Sequence, residues 1–186
     1  MSIRHVAIFG VLFSFIFFSS TFGMAGTPAA SSSNVTVGIT IGDTQVESHA
    51  DSGNGNLLEA QQATLSQTAT IQSLSFYVTR ASGDLILGIY DATGPNGGPG
   101  ALKAQTNGFV TTTGWNRANV VTPVSLPAGN YWLAYLPSSS NLHFRKQNNS
   151  GNCVYQSNSY RSGLPATFPN SSVSCSYTTW SFYAIE

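Results

Sequence analysis

From Val35 onward, apolar and polar residues alternate with a period of two rather than 3.6, the pattern of strands with one buried face. In segment 70–79 (TIQSLSFYVT), Leu74, Phe76 and Val78 fall on one side and Ser73, Ser75 and Tyr77 on the other. Segment 84–91 (DLILGIYD) is more continuously apolar, which predicts a central strand. Further strands are predicted over 115–121, 129–136 and 172–185. Turn signals separate them: Ser82-Gly83-Asp84, then Thr93 to Gly100 (TGPNGGPG), then Pro127-Ala128-Gly129. Pro95 and Pro99 lack amide donors, which excludes a helix or a central strand over 93–100. Only Leu57 to Ala63 (LLEAQQA) suits a helical turn, and it is too short to stand alone. The stretch from Leu142 to Tyr160 reads as a loop region. The expected fold is all-β, a two-sheet antiparallel β-sandwich of jelly-roll-like topology, in one domain over 35–186.

Composition agrees with this and narrows the partners. Charged residues are only 8% of the 186, with seven basic against seven acidic. A nucleic-acid binder would carry a basic surplus, and the shortage of Glu and Lys disfavours helices. Residues 1–25 read as a secretory signal peptide: Arg4 and His5, then an apolar run from Val6 to Phe18, then Gly23-Met24-Ala25 before cleavage. That run is too short to span a membrane, and no later stretch is long enough. Residues 26–34 (GTPAASSSN) form a small polar linker. The expected location is secreted, extracellular or at the cell surface, with a bacterial periplasm as the other option. In such an oxidising compartment Cys153 and Cys175, the only cysteines, are expected to pair.

Three stretches, 87–91 (LGIYD), 98–102 (GPGAL) and 114–116 (GWN) with 126–134 (LPAGNYWLA), together resemble extracellular β-sandwich modules of bacterial secreted proteins. Those modules accompany polysaccharide-active enzymes or surface proteins and are described as carbohydrate-binding-like or surface-anchoring. The resemblance covers roughly residues 38 to 136, with 180–184 as a closing strand. It implies the sandwich more strongly than any activity. The cysteines and the loops around them fall outside it.

For function, the sequence directs attention to aromatic, amide and basic side chains near the cysteines. A glycan site stacks sugars on flat aromatic faces and bonds their hydroxyls with amides and cations. Trp115, His143, Arg145, Tyr155, Gln156, Tyr160 and Arg161 are the expected ligand-binding residues, with an acidic polysaccharide favoured. Trp132 and Trp180, both mid-strand, are expected in the core. Asp43, Asp51, Asn54 and Asn56, with Glu59 nearby, offer oxygens for a structural Ca²⁺, although an Asn/Asp/Gly run more simply makes a turn. No other cofactor is implied. A catalytic reading needs His49 with Asp51, or His143 with Arg145, Tyr155 and Tyr160, as in a sugar lyase. No hydrolase, zinc-protease or phosphate-loop motif is present. The expected function is a secreted, non-catalytic sandwich that binds a polysaccharide or cell-surface glycan. A structural or adhesive protein contacting other chains is the alternative, and a small polysaccharide lyase the third reading.

Overall fold

Alternation along the chain resolves into strands β1 (Thr40–Gly42), β2 (His49–Ser52), β3 (Leu57–Leu65), β4 (Ala69–Arg80), β5 (Asp84–Asp91), β6 (Leu102–Gln105) and β7 (Phe109–Val110). They are followed by β8 (Gly114–Leu126), β9 (Gly129–Pro137), β10 (His143–Asn148), β11 (Cys153–Ser157), β12 (Val173–Cys175), β13 (Thr178–Trp180) and β14 (Phe182–Ile185). The structure is a computed structural model that describes residue 38 and residues 40–148, 151–175 and 177–186. The expected leader (1–25) and linker (26–34) lie outside the described residues.

The strands form two antiparallel sheets of seven each. Eight of them make the frame: β1, β3, β4, β5, β6, β8, β9 and β14. Counted in that order, they lie as 1-8-3-6 in the first sheet and 2-7-4-5 in the second. This is a jelly-roll order; the sequence predicts the two-sheet, jelly-roll-like sandwich but not the order of its strands. Strands β10 to β13 are an insertion between the seventh and eighth frame strands. β10 and β13 extend the first sheet, with β2 beside β10, and β11 and β12 extend the second sheet beyond β3. The insertion therefore lengthens both layers at the same end of the sandwich.

Between the sheets, Leu74, Phe76 and Val78 from β4 meet Leu85, Leu87 and Ile89 from β5 and Leu133 from β9, all fully buried. Aromatic rings fill the end nearest the insertion. Phe76 lies 4.9 Å from Tyr135, 5.4 Å from Phe144 and 5.5 Å from Phe182, while Tyr135 lies 5.1 Å from Trp180. Such tilted and edge-on pairs stabilise beyond simple area burial. A second, smaller core covers the outer face of the second sheet. There Leu58, Ala60, Tyr90, Trp132 and Leu136 pack under Leu164 and Phe168. Cys153 and Cys175 are bonded and are register partners across β11 and β12. Their loop of 22 residues corresponds to about 3 kcal/mol in the chain-entropy account.

Three expectations are corrected. Segment 57–63 is strand, not a helical turn, because both its faces are covered: Leu58 and Ala60 by the outer core, Glu59, Gln61 and Ala63 by the inter-sheet space. A strand buried on both sides loses its alternation, and packing overrides the helical preference of Leu, Glu, Ala and Gln. The 142–160 stretch holds β10 and β11. The predicted strand over 172–185 is three strands, because the chain leaves β10 at Ser181 and continues beside β4. Ser181 marks this crossing, its amide donating to the Arg145 carbonyl and its carbonyl accepting from the Tyr77 amide.

Phe76 touches three other rings from full burial, so Phe76→Ala is expected to cost about 3–5 kcal/mol. Urea unfolding followed by tryptophan fluorescence measures this, and a loss below about 1 kcal/mol would show that the ring cluster is not the packing centre.

Candidate functional site

At the inserted end the sheets part around a cavity of about 560 Å³. Its walls come from both layers. β2 supplies Asp51, β10 supplies Lys146 and Asn148, and β13 supplies Thr178 and Trp180. The opposite wall is Glu59 from β3, Tyr155 from β11 and Cys175 from β12. Strand periodicity explains the choice. Tyr155 and Glu59 are register partners and point the same way, as do Asp51 and Phe144.

The polar groups are largely paired with one another. Lys146 Nζ sits 3.4 Å from Asp51 Oδ2, which also accepts a hydrogen bond from Trp180 Nε1 at 3.0 Å. Asn54 donates to the Tyr135 hydroxyl at 3.0 Å. Glu59 is the exception. It is 5% exposed, and its Oε1 has no hydrogen-bond partner among the described residues. Burial pushes its carboxyl up to about 8; the Tyr135 hydrogen bond and Lys146 oppose the shift, and the Asp51 charge reinforces it. At neutral pH the carboxyl is therefore mostly protonated, with Oε1 unpaired among the described residues. The cavity as a whole is close to neutral, because its one lysine faces an aspartate.

Of the seven residues expected to touch a glycan, the cavity gathers only Tyr155. The others are dispersed by the same alternation that places it. Gln156 pairs with Leu58, which faces the outer core. Arg145 turns to the outer face and donates to the Ser48 carbonyl at 3.1 Å. His143 stands at the far end of β10 opposite Ser52 and Arg80. Tyr160 sits in a short 3₁₀ turn against the outer core, its amide donating to Asn56 Oδ1, and Arg161 next to it is exposed. Trp115 lies on the outer face of the first sheet, 5.3 Å from Tyr77 and 4.9 Å from Tyr183. Trp132 and Trp180 are buried, as expected, and Trp180 also walls the cavity.

The oxygens considered for Ca²⁺ are engaged separately. Asp51 holds Lys146, Asn54 holds Tyr135, Asn56 holds the Tyr160 amide, and Asp43 accepts from the Gln45 amide. Among the described residues no three His, Cys, Asp or Glu side chains converge. Glu47 bonds to Asp43, and that hydrogen bond is the main cause of a carboxyl pushed up to about 7. Neither histidine of the lyase reading lines the cavity. Sequence reasoning names Glu59 only as an oxygen near those considered for Ca²⁺, not as a residue of a glycan site. Its signal is an acid set between Leu58 and Ala60 in a mostly apolar stretch.

No family model and no curated protein matches the chain. The class is thus set by the fold alone, a jelly-roll β-sandwich. Among the described residues no helix is long and apolar enough to cross a membrane.

A raised folded-state pKa favours folding below the unfolded value of 4.5, and the advantage is lost as pH rises through about 8. A tenfold difference in proton affinity between the folded and unfolded chain corresponds to about 1.4 kcal/mol. Unfolding free energy is therefore expected to fall by several kcal/mol between acid and mildly alkaline pH, and Glu59→Gln should flatten most of that slope. Urea titrations at a series of pH values test this. An unchanged slope in Glu59→Gln would mean that the carboxyl is hydrated.

Proposed function

We propose that the protein is a secreted, non-catalytic glycan-binding module whose binding site is the cavity between β2, β10 and β13 on one side and β3 and β11 on the other. The observation that carries this reading is Glu59, a buried and protonated carboxyl with an unpaired oxygen on a cavity walled by Trp180 and Tyr155. A neutral carboxyl both donates and accepts hydrogen bonds, as a sugar hydroxyl does. The aromatic walls suit the apolar faces of pyranose rings. With Lys146 already paired, the site favours a neutral glycan over the acidic one that the nearby cations suggest in the sequence. Export, a disulfide-permissive compartment and the sandwich frame are consistent with such a role.

The test is binding of the purified chain to a panel of soluble and insoluble polysaccharides, with and without EDTA. Tyr155→Ala is expected to weaken binding about tenfold, a loss of about 1.4 kcal/mol. Trp115→Ala, on the outer face, should leave it unchanged, as should EDTA. The reverse pattern for the two variants would move the site to the Tyr77–Trp115–Tyr183 face. Binding to nothing by the folded protein would favour the structural or adhesive reading. Release of shortened sugars, abolished by Glu59→Gln, would instead make Glu59 a general acid.

A further inference from the structure

One hollow adjoins the cavity and a groove adjoins that hollow, each sharing lining residues with the next around the sandwich edge. Cys175 lines both the cavity and a hollow of about 280 Å³ whose other walls are Asn152, Ser174 and Tyr177. Asn152 and Ser174 in turn line a groove of about 400 Å³ on the outer face of the second sheet. That groove is floored by Trp132 and edged by Pro95, Pro99, Pro169 and Asn170. The path thus leaves the inter-sheet space, crosses the disulfide-bonded β11–β12 edge and runs onto the opposite face of that sheet.

Resting on the glycan reading above, we infer that this path is one continuous binding track for the interior of a long, neutral polysaccharide chain. A site for a chain end would be one closed hollow, whereas these lining residues continue on both sides of the disulfide-bonded edge.

Two observations beyond the shape support it. Among the described residues no charged side chain lines the middle hollow or the outer groove. Their polar groups are Asn, Gln and Ser, which match sugar hydroxyls and compensate neither an anion nor a cation. The second is Tyr177, which stands at the crossing point. It is 65% exposed, and its backbone has φ +33. A bulky residue at positive φ is strained, and such strain persists where the surroundings impose it. Its amide donates to the Cys175 carbonyl at 2.9 Å, which ties its backbone to the disulfide-bonded edge. The exposed ring offers a stacking face midway along the path.

The experiment is calorimetric titration of the full chain with cello-, manno- and xylo-oligosaccharides of increasing length. Affinity for the preferred series is expected to climb with length until the path is filled. Tyr177→Ala and Asn170→Ala, both at exposed positions, should weaken the longest oligosaccharide about tenfold and leave the shortest unchanged, whereas Tyr155→Ala weakens both. Affinity independent of length, or equal in wild type and Tyr177→Ala while Tyr155→Ala still loses binding, overturns the track and leaves the cavity standing. No binding at any length by folded protein overturns both.

Discussion

Gln61 joins the two layers where the core stops being apolar. Its side-chain carbonyl accepts from the Trp180 amide, and its side-chain amide donates to the Phe182 carbonyl at 3.4 Å. One buried residue of β3 thereby ties the second sheet to the last strand of the first, on both sides of the break at Ser181. A buried amide is stable only when its groups are bonded, so the partners on β13 and β14 are as necessary to Gln61 as it is to them. Trp180 owes its place on the cavity wall to this link. Below Gln61 the same strand face carries Ala63 and Leu65 into the core; above it the face carries Glu59 into the cavity. Along β3 the apolar core gives way to the cavity at this residue.

Most of the cavity wall is inserted chain, with β3 of the frame supplying Leu57 and Glu59. The eight jelly-roll strands supply most of the core between the layers, and the insertion adds Phe144, Cys153 and Trp180 to it. β10 and β13 then continue the first layer, and β11 and β12 the second, from these residues to the cavity. Two extended layers without a filling core would splay. The hydrogen bonds of Gln61 tie one layer to the other, while the disulfide braces β11 to β12 within the second layer and the Asp51–Trp180 bond braces β2 to β13 within the first. A scaffold that is indifferent to ligand and an insertion that shapes the site is a common division in sandwich proteins.

This division also explains what is legible in the chain. The frame announces itself by alternation, as in 70–79, and by Pro/Gly turns, as in 93–100, because each depends on neighbours in sequence. β3 is hidden because a strand covered on both faces shows no alternation. β10 and β11 are hidden because their outward residues (Arg145, Gln147, Gln156) are polar and their inward ones (Lys146, Asn148, Tyr155) line a wet cavity. Both faces then look like loop. Tyr155 is legible as a site residue by type. Its partner Glu59 lies 96 positions earlier, and only the pairing of β11 with β3 brings them side by side. Counting aromatics and cations near the cysteines collects residues from both faces of two strands, and a strand presents only alternate residues to one place.

Glu59 is the point at which stability and the proposed function pull apart. A Leu or Met in its place would extend the aromatic core toward Tyr135 and Trp180 and remove the penalty of a buried carboxyl above pH 8. The arrangement around it does not relieve that penalty. Tyr135 bonds one oxygen and leaves the other open, Lys146 is drawn to Asp51, and the Asp51 charge raises the cost of ionisation. A fold optimised for stability alone would satisfy such a group or omit it. A half-satisfied acid facing a cavity is better explained by a visiting hydroxyl that completes its hydrogen bonds. Such a ligand would bind protonated Glu59 more tightly than the ionised form, so its binding would raise the carboxyl pKa further. Affinity would then fall as pH rises through the titration of Glu59, in parallel with the loss of stability from the same carboxyl.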